Sequence, residues 1–171
     1  MKRLCLLRHA KSDRSDPAAA DFDRPLNPRG REAAPAMGRY LRRQKLIPDT
    51  VLCSAARRTR ETWELVGPAL KAQIPIDYSE RLYLAAPPQI LRLLRQLPES
   101  ADTALLLGHN PGFQVLALQL VGRGESAARA RLQAKFPTAA LAVIDFDAPR
   151  WRDIAEGEGT LERFIAPRDL D

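Results

Sequence analysis

Apolar and polar positions alternate along this chain in blocks whose period switches between that of a strand and that of a helix. Residues 3–7 form a short apolar run that reads as a buried strand. Residues 12–26 are polar and rich in Asp, Pro and Ala, which predicts a loop. Asn27-Pro28 supplies a helix start, with Asn as N-cap and proline at the first helical position. That helix is expected to reach about residue 45, weakened by Gly38 and kinked at Pro35. Residues 50–53 read as a second strand, and Ser54 is placed to cap a helix running to about residue 70. Residues 74–78 predict a third strand. In residues 87–97, Ile90, Leu91, Leu94 and Leu97 recur at helical spacing. Residues 103–107 predict a buried strand, and Asn110-Pro111 repeats the cap-and-proline signal before a helix to about residue 121. Residues 122–125 break that helix, and 127–135 predict a weaker one. Strands are expected at 139–146 and 151–155, with an edge strand or return segment at 160–165.

Strand and helix alternate through the first two-thirds. This predicts a mostly parallel sheet with helices on both faces, a three-layer α/β/α sandwich. The last third has strands with little helix between them, so antiparallel strands are expected at an edge. No linker divides the chain, and residues 1–171 are read as one domain. A chain of 171 residues can bury a sizeable core, roughly 70% of its unfolded surface.

Charge narrows the partners. Lys and Arg number 27 against 21 Asp and Glu, for a net +6, which suits anionic ligands. No aromatic-rich basic stripe or reader motif accompanies the charge, so nucleic acid is not the expected partner. Met1-Lys2-Arg3 followed by Leu4-Cys5-Leu6-Leu7 superficially has the look of a signal peptide. The apolar run stops at Arg8, short of the ~7–15 residues such a segment needs. No stretch approaches the ~18–20 apolar residues of a membrane span, so a cytoplasmic location is expected. Cys5 and Cys53 lie in predicted strands and read as buried free thiols without metal-ligand spacing.

The chemistry concentrates where strands end. Arg8-His9 follows the first strand, Ser54 to Arg58 follow the second, and His109-Asn110 follow the strand at 103–107. Ligands of open α/β sheets bind beyond the carboxyl ends of the strands, and parallel strands would gather these segments on one rim. Helix N-termini favour anions, and arginines can chelate phosphate in bidentate fashion. The constellation therefore predicts a phosphate site holding two imidazoles. A neutral ring nitrogen in such a site can attack phosphorus and carry the phosphoryl group until water removes it. No P-loop and no Asp/Glu cluster suggests a metal, so neither metal nor cofactor is expected.

These residues resemble a known family. Leu6-Leu7-Arg8-His9-Ala10-Lys11-Ser12, Asp23-Arg24-Pro25-Leu26-Asn27-Pro28-Arg29-Gly30, Ser54 to Thr62, Gly108-His109-Asn110-Pro111-Gly112 and Phe136-Pro137-Thr138-Ala139 together look like the histidine phosphatase (phosphoglycerate mutase-like) superfamily. The finer likeness is to its small SixA-type phosphohistidine phosphatases. The resemblance implies His9 as the phosphoryl-accepting nucleophile, Arg8 as its phosphate-binding neighbour, and His109 as the second histidine on the phosphoryl group. Ser54 and Thr62 frame Arg58 in a Ser-x-x-x-Arg-x-x-x-Thr pattern, so Arg58 rather than Arg57 matches the second phosphate arginine. It further implies, as partner, a phosphorylated protein of the histidine phosphotransfer type or a small phosphorylated substrate.

Lys11, Ser12 and Asn110 stand close enough to this set to touch substrate. Ala10 departs from the Gly common in the superfamily. The larger relatives carry an acid in an insertion that this chain lacks. Glu80 is the nearest candidate in chain order, with a surface carboxylate paired to Arg81 as the plain reading. A weak acid suits phosphohistidine better than an alkyl phosphate, because a departing imidazole can already carry its proton. A phosphoester phosphatase using the same site, or a non-catalytic phosphate- or nucleic-acid-binding module, are the alternatives. A monomer is expected.

Overall fold

The computed structural model describes residues 1–170. Seven strands form one sheet: β1 (Lys2–Arg8), β2 (Thr50–Ser54), β3 (Ile76–Ser79), β4 (Thr103–Gly108), β5 (Val121–Gly124), β6 (Leu141–Phe146) and β7 (Gly159–Ile165), in the order β3-β2-β4-β1-β6-β7-β5. β1, β4, β2 and β3 pair in parallel. β6 is antiparallel to both β1 and β7, while β5 is parallel to β7. One reversed strand inside the sheet thus replaces the antiparallel edge expected from the sequence.

Five helices cover the two faces: α1 (Pro28–Arg43), α2 (Arg57–Leu70), α3 (Pro87–Arg95), α4 (Gly112–Leu120) and α5 (Ser126–Ala134). Alternate residues of β1 serve opposite cores. Cys5 and Leu7 pack with Met37 and Leu41 of α1 and with Trp63 and Val66 of α2. Leu4 and Leu6 pack with Ile90 and Leu94 of α3, Phe113 and Leu116 of α4, and Leu132 of α5. A strand covered on both faces needs apolar side chains on both, which explains why the run at 3–7 is unbroken. The result is the three-layer sandwich, with α1 and α2 on one face and α3, α4 and α5 on the other.

Lys2 is only 2% exposed despite its charge. Its Nζ donates to the carbonyls of Glu99 (2.8 Å) and Ala101 (2.9 Å) and to Asp102 Oδ1 (3.2 Å), so the buried ammonium is fully paired. The segment that superficially resembled a signal peptide is a central strand. Among the described residues, no helix is long and apolar enough to cross a membrane. Cys5 and Cys53 are buried and free, and burial pushes the Cys5 thiol up to about 12.

Several local expectations change. Residues 151–155 are not a strand. Trp151–Asp153 forms a 3-10 turn whose indole is fully buried and donates from Nε1 to the Ala101 carbonyl at 2.8 Å. Residues 121–124, read as a helix end followed by a break, form edge strand β5, so β7 lies inside the sheet. A Cβ on Gly122 would stand 1.9 Å from the Gly157 carbonyl oxygen, so this glycine allows the two backbones to meet. Ser54 ends β2 instead of capping α2, whose N-cap is Ala56. α4 starts at Gly112, two residues after Asn110, whose Oδ1 accepts from the Gln114 N–H at 3.3 Å. Asn27 is the N-cap of α1, its side chain accepting from Gly30 N–H at 2.9 Å, and α1 runs on through Pro35.

Candidate active site

The parallel pairing of β1, β2 and β4 delivers three chain ends to one rim. Arg8 lies opposite Gly108, and Cys53 opposite Leu107, so Arg8-His9, Ser54 and His109 emerge side by side. His9 and His109 are 6% and 3% exposed, and their ring centroids are 5.4 Å apart.

Backbone contacts fix His9. Its N–H donates to the Gly108 carbonyl (3.1 Å), and its carbonyl accepts from Ala139 N–H (2.9 Å). Its Nδ1 lies 2.7 Å from the Ala10 carbonyl oxygen. A carbonyl can only accept, so Nδ1 carries the proton and Nε2 keeps its lone pair. The next residue is tied to α2: Ala10 N–H donates to Thr62 Oγ1 (3.0 Å), and that hydroxyl donates to the Arg58 carbonyl (2.7 Å).

His109 is held from both sides. Arg58 Nη2 lies 3.3 Å from its Nδ1, and Ser54 Oγ lies 2.7 Å from its Nε2. A guanidinium only donates, so Nδ1 accepts and Nε2–H donates to Ser54. Burial holds both imidazoles low, to about 3 each; for His9 the Ala10 contact opposes this, and for His109 the Arg58 charge reinforces it. Both rings are therefore neutral at pH 7.

Arg8 and Arg58 supply the positive charge. Arg8 Nη1 donates to the Phe136 carbonyl at 2.9 Å, which Asn110 Nδ2 also reaches at 3.1 Å. Arg58 is 2% exposed and donates to the Asp21 carbonyl (2.7 Å) and to Asp21 Oδ2 (3.1 Å). Among the described residues, the buried side-chain nitrogens and oxygens without a hydrogen-bond partner are Arg8 Nε and Arg58 Nε. Buried donors are almost always paired, so two orphaned guanidinium N–H groups beside two neutral imidazoles suit an anion with several acceptor oxygens.

Asp21 reaches the pocket from the long loop after His9. It accepts from Arg58, Arg24 and the Tyr83 hydroxyl, while the Tyr83 ring stands edge-on to His109 at 5.4 Å. Partial burial raises the Asp21 carboxyl, but the Tyr83 hydroxyl and the Arg58 charge outweigh it and hold it at about 2. Neither Asp21 nor Tyr83 was selected from the sequence. Asp21 had only its place in the Asp-rich loop after His9, where it could as well shape the rim as be solvated, and Tyr83 had no signal. Ser54 read as a helix cap, and only the fold puts it on His109.

The remaining candidates scatter around the rim. Arg57 points outward and pairs with Glu61 at 3.0 Å. Lys11 is exposed at the mouth of a cleft of about 390 Å³ that Arg8 and His9 also line. Ser12 lines the same cleft and accepts from Arg24 Nη1 at 2.9 Å. Glu80 opens the 3-10 turn Glu80–Leu82, with its side chain exposed. Its backbone carbonyl accepts from Tyr83 N–H at 3.1 Å, but among the described residues its carboxylate forms no hydrogen bond or ion pair with the pocket, and no group of three or more His, Cys, Asp or Glu is gathered as for a metal ion.

Known proteins share this architecture. A family model describing the histidine phosphatase superfamily (branch 1) matches residues 4–83. The uncharacterized protein Rv1276c of Mycobacterium tuberculosis is 38% identical over 164 residues, covering 95% of this chain and all of that protein. The crystal structure of a candidate phosphohistidine phosphatase SixA from Agrobacterium tumefaciens superposes with a TM-score of 0.83 at 32% identity, covering 97% of this chain and 98% of that one. A candidate phosphohistidine phosphatase SixA from Nakamurella multipartitia gives 0.85 at 31%, covering 97% and 96%.

Proposed function

We propose, from the premise that this chain belongs to the SixA-type branch of the histidine phosphatase superfamily, that it is a phosphatase whose preferred substrate is a phosphohistidine borne by a protein. The nucleophile is His9 Nε2, left unprotonated by the contact of Nδ1 with Ala10. It forms a bond to phosphorus as the bond from phosphorus to the substrate's ring nitrogen breaks. Arg8 and Arg58 neutralise the equatorial oxygens, their orphaned Nε–H groups serving as donors. His109 stands beside them as a neutral ring, its Nδ1 accepting from Arg58. Water then attacks the phosphorus on His9. The P–N bond breaks, both of the water's hydrogens leave with the phosphate, and His9 returns to its neutral form.

The observation that carries the substrate assignment is the state of Asp21. Among the described residues it is the carboxyl group bonded to Arg58 and Tyr83, which hold it ionised at about 2. An alkoxide leaving group needs a proton that Asp21 cannot supply at neutral pH. A phosphohistidine whose second ring nitrogen carries a proton leaves as neutral imidazole and needs none.

The test is single-turnover hydrolysis of a phosphohistidine protein beside a panel of phosphate monoesters. The expected result is preference for the phosphohistidine, and loss of both turnover and the acid-labile phosphoryl-enzyme in His9→Ala. Full activity in that variant would overturn the mechanism. Faster cleavage of a monoester would move the substrate to small phosphoesters.

A further inference from the structure

We infer that a basic groove leading away from the pocket along α1 docks a carboxylate-rich surface of the protein that carries the phosphohistidine. The inference rests on the phosphohistidine reading and names where its substrate would lie.

Three adjoining clefts form the groove, and Lys11 and Thr138 line all of them. The inner one, of about 390 Å³, contains Arg8 and His9 and is flanked by Arg14 and Lys135. The middle one, of about 380 Å³, passes between Arg29 and Arg168. The outer one, of about 570 Å³, runs beside α1 past Arg39 and Arg43. The cations at 11, 14, 29, 39, 43, 135 and 168 are all exposed, and among the described residues none forms an ion pair. Glu32 is the carboxylate that lines the outer cleft.

The spacing on α1 makes this a surface and not a scatter. Arg29, Ala33, Ala36, Arg39 and Arg43 follow helical periodicity on one face, with the alanines forming a low floor between guanidinium groups. Fourteen helical rises separate Arg29 from Arg43, or about 21 Å. Arg8 and Arg58 already serve the phosphoryl group, so these cations address a second set of negative charges. A phosphorylated metabolite bound at His9 does not extend that far, whereas a protein surface does. Its carboxylates would gain rim ion pairs and faster, salt-sensitive association. A nucleic acid would match the charge, but the floor of Ala33, Ala36, Pro137 and Pro167 offers no exposed ring for stacking.

The test compares the unmodified enzyme with Arg39→Glu/Arg43→Glu and with the milder Arg39→Gln/Arg43→Gln. Three substrates are used: phosphoimidazole, a phosphohistidine protein with Asp and Glu around its histidine, and that protein with those residues changed to Asn and Gln. The charge-reversed enzyme should lose at least tenfold in kcat/KM on the acidic protein at low salt, and the Gln pair should lose less. Both should stay within about twofold on phosphoimidazole and on the neutralised protein. In the unmodified enzyme, raising salt should erase the advantage of the acidic protein. Equal kcat/KM of all three enzymes on the acidic protein, or equal losses on phosphoimidazole, would overturn the docking surface and leave the phosphatase reading standing. Competition by duplex DNA at low micromolar concentration, without any preference for the acidic protein, would assign the groove to nucleic acid instead. Absence of turnover on every phosphohistidine substrate would sink both.

Discussion

Arg58 grips His109: its Nη2 lies 3.3 Å from the imidazole Nδ1, while the same guanidinium is bonded to Asp21 on its other side. One residue thus sets the tautomer of the second histidine and, in the proposed mechanism, would present a donor to the phosphoryl oxygens. Arg58→Ala is expected to lower kcat by ~10²-fold or more, as loss of an oxyanion donor does. Arg57→Ala removes an exposed pair with Glu61 and should change kcat by less than about threefold. Steady-state kinetics on one phosphohistidine substrate decide the matter; an equal or larger loss at Arg57 would overturn this assignment.

Asp21 separates electrostatic support from proton donation. Asp21→Asn removes a negative charge from beside Arg58 and loosens the guanidinium. Inorganic phosphate should then inhibit more strongly, because the pocket becomes more positive, and kcat should fall modestly. The fractional fall should be the same for a phosphomonoester and for a phosphohistidine. A loss confined to the phosphomonoester would show that Asp21 delivers a proton to the leaving group.

The two buried imidazoles make a prediction about pH. Both are lowered to about 3, against about 6.5 for an unperturbed histidine. Between those values the unfolded chain binds more protons than the folded one, so stability rises with pH across the window. Their contribution is complete above about pH 6.5 and is lost as pH falls toward 3, at up to about 1.4 kcal/mol per pH unit for each ring. The chain has only two histidines, so proton NMR of their ring hydrogens is simple to assign. Neither signal should titrate between pH 5 and 8 while the protein is folded and phosphate-free; a midpoint near 6.5 would show that the rings are solvated.

Gly30 offers a test of how α1 supports the site. A Cβ there would stand 2.2 Å from the Lys11 carbonyl oxygen, which itself accepts from Asn27 N–H at 3.0 Å. Gly30→Ala must therefore displace the backbone two residues after His9. Strain of this kind costs roughly 1–3 kcal/mol, and the expected result is a lower Tm together with a drop in kcat. Gly157→Ala is the control, with open space around its position though at a φ of +74°. It should cost stability without touching kcat.

Most of the architecture was legible because it depends on local pattern. The apolar runs of β1 and β4, the N-cap at Asn27 and the helical spacing of Ile90 and Leu94 are each readable from a few neighbouring residues. The failures share one cause. Val121–Gly124 has two glycines and no strand signal, and it becomes β5 only because β7 supplies its partner. Trp151 sits in a segment that looks like a strand, but its indole is drawn into the core by the distant Ala101 carbonyl. Pairing and burial across 30 to 50 residues leave no mark on a local pattern.

The candidate site divides the same way. The sequence by itself determined the candidates for the chemistry: an Arg-His pair at one strand end, a second histidine at another, and an arginine framed by Ser54 and Thr62. Their chemical types and order along the chain suffice for that. Only the tertiary structure decided their working state. Ser54, 55 residues from His109 in sequence, takes the proton-bearing Nε2, while Asp21 is drawn onto Arg58 and Tyr83 and kept ionised. Tautomer, charge and proton availability depend on burial and on partners within about 3 Å. Those are set by how the chain closes on itself, not by what stands next to each residue along it.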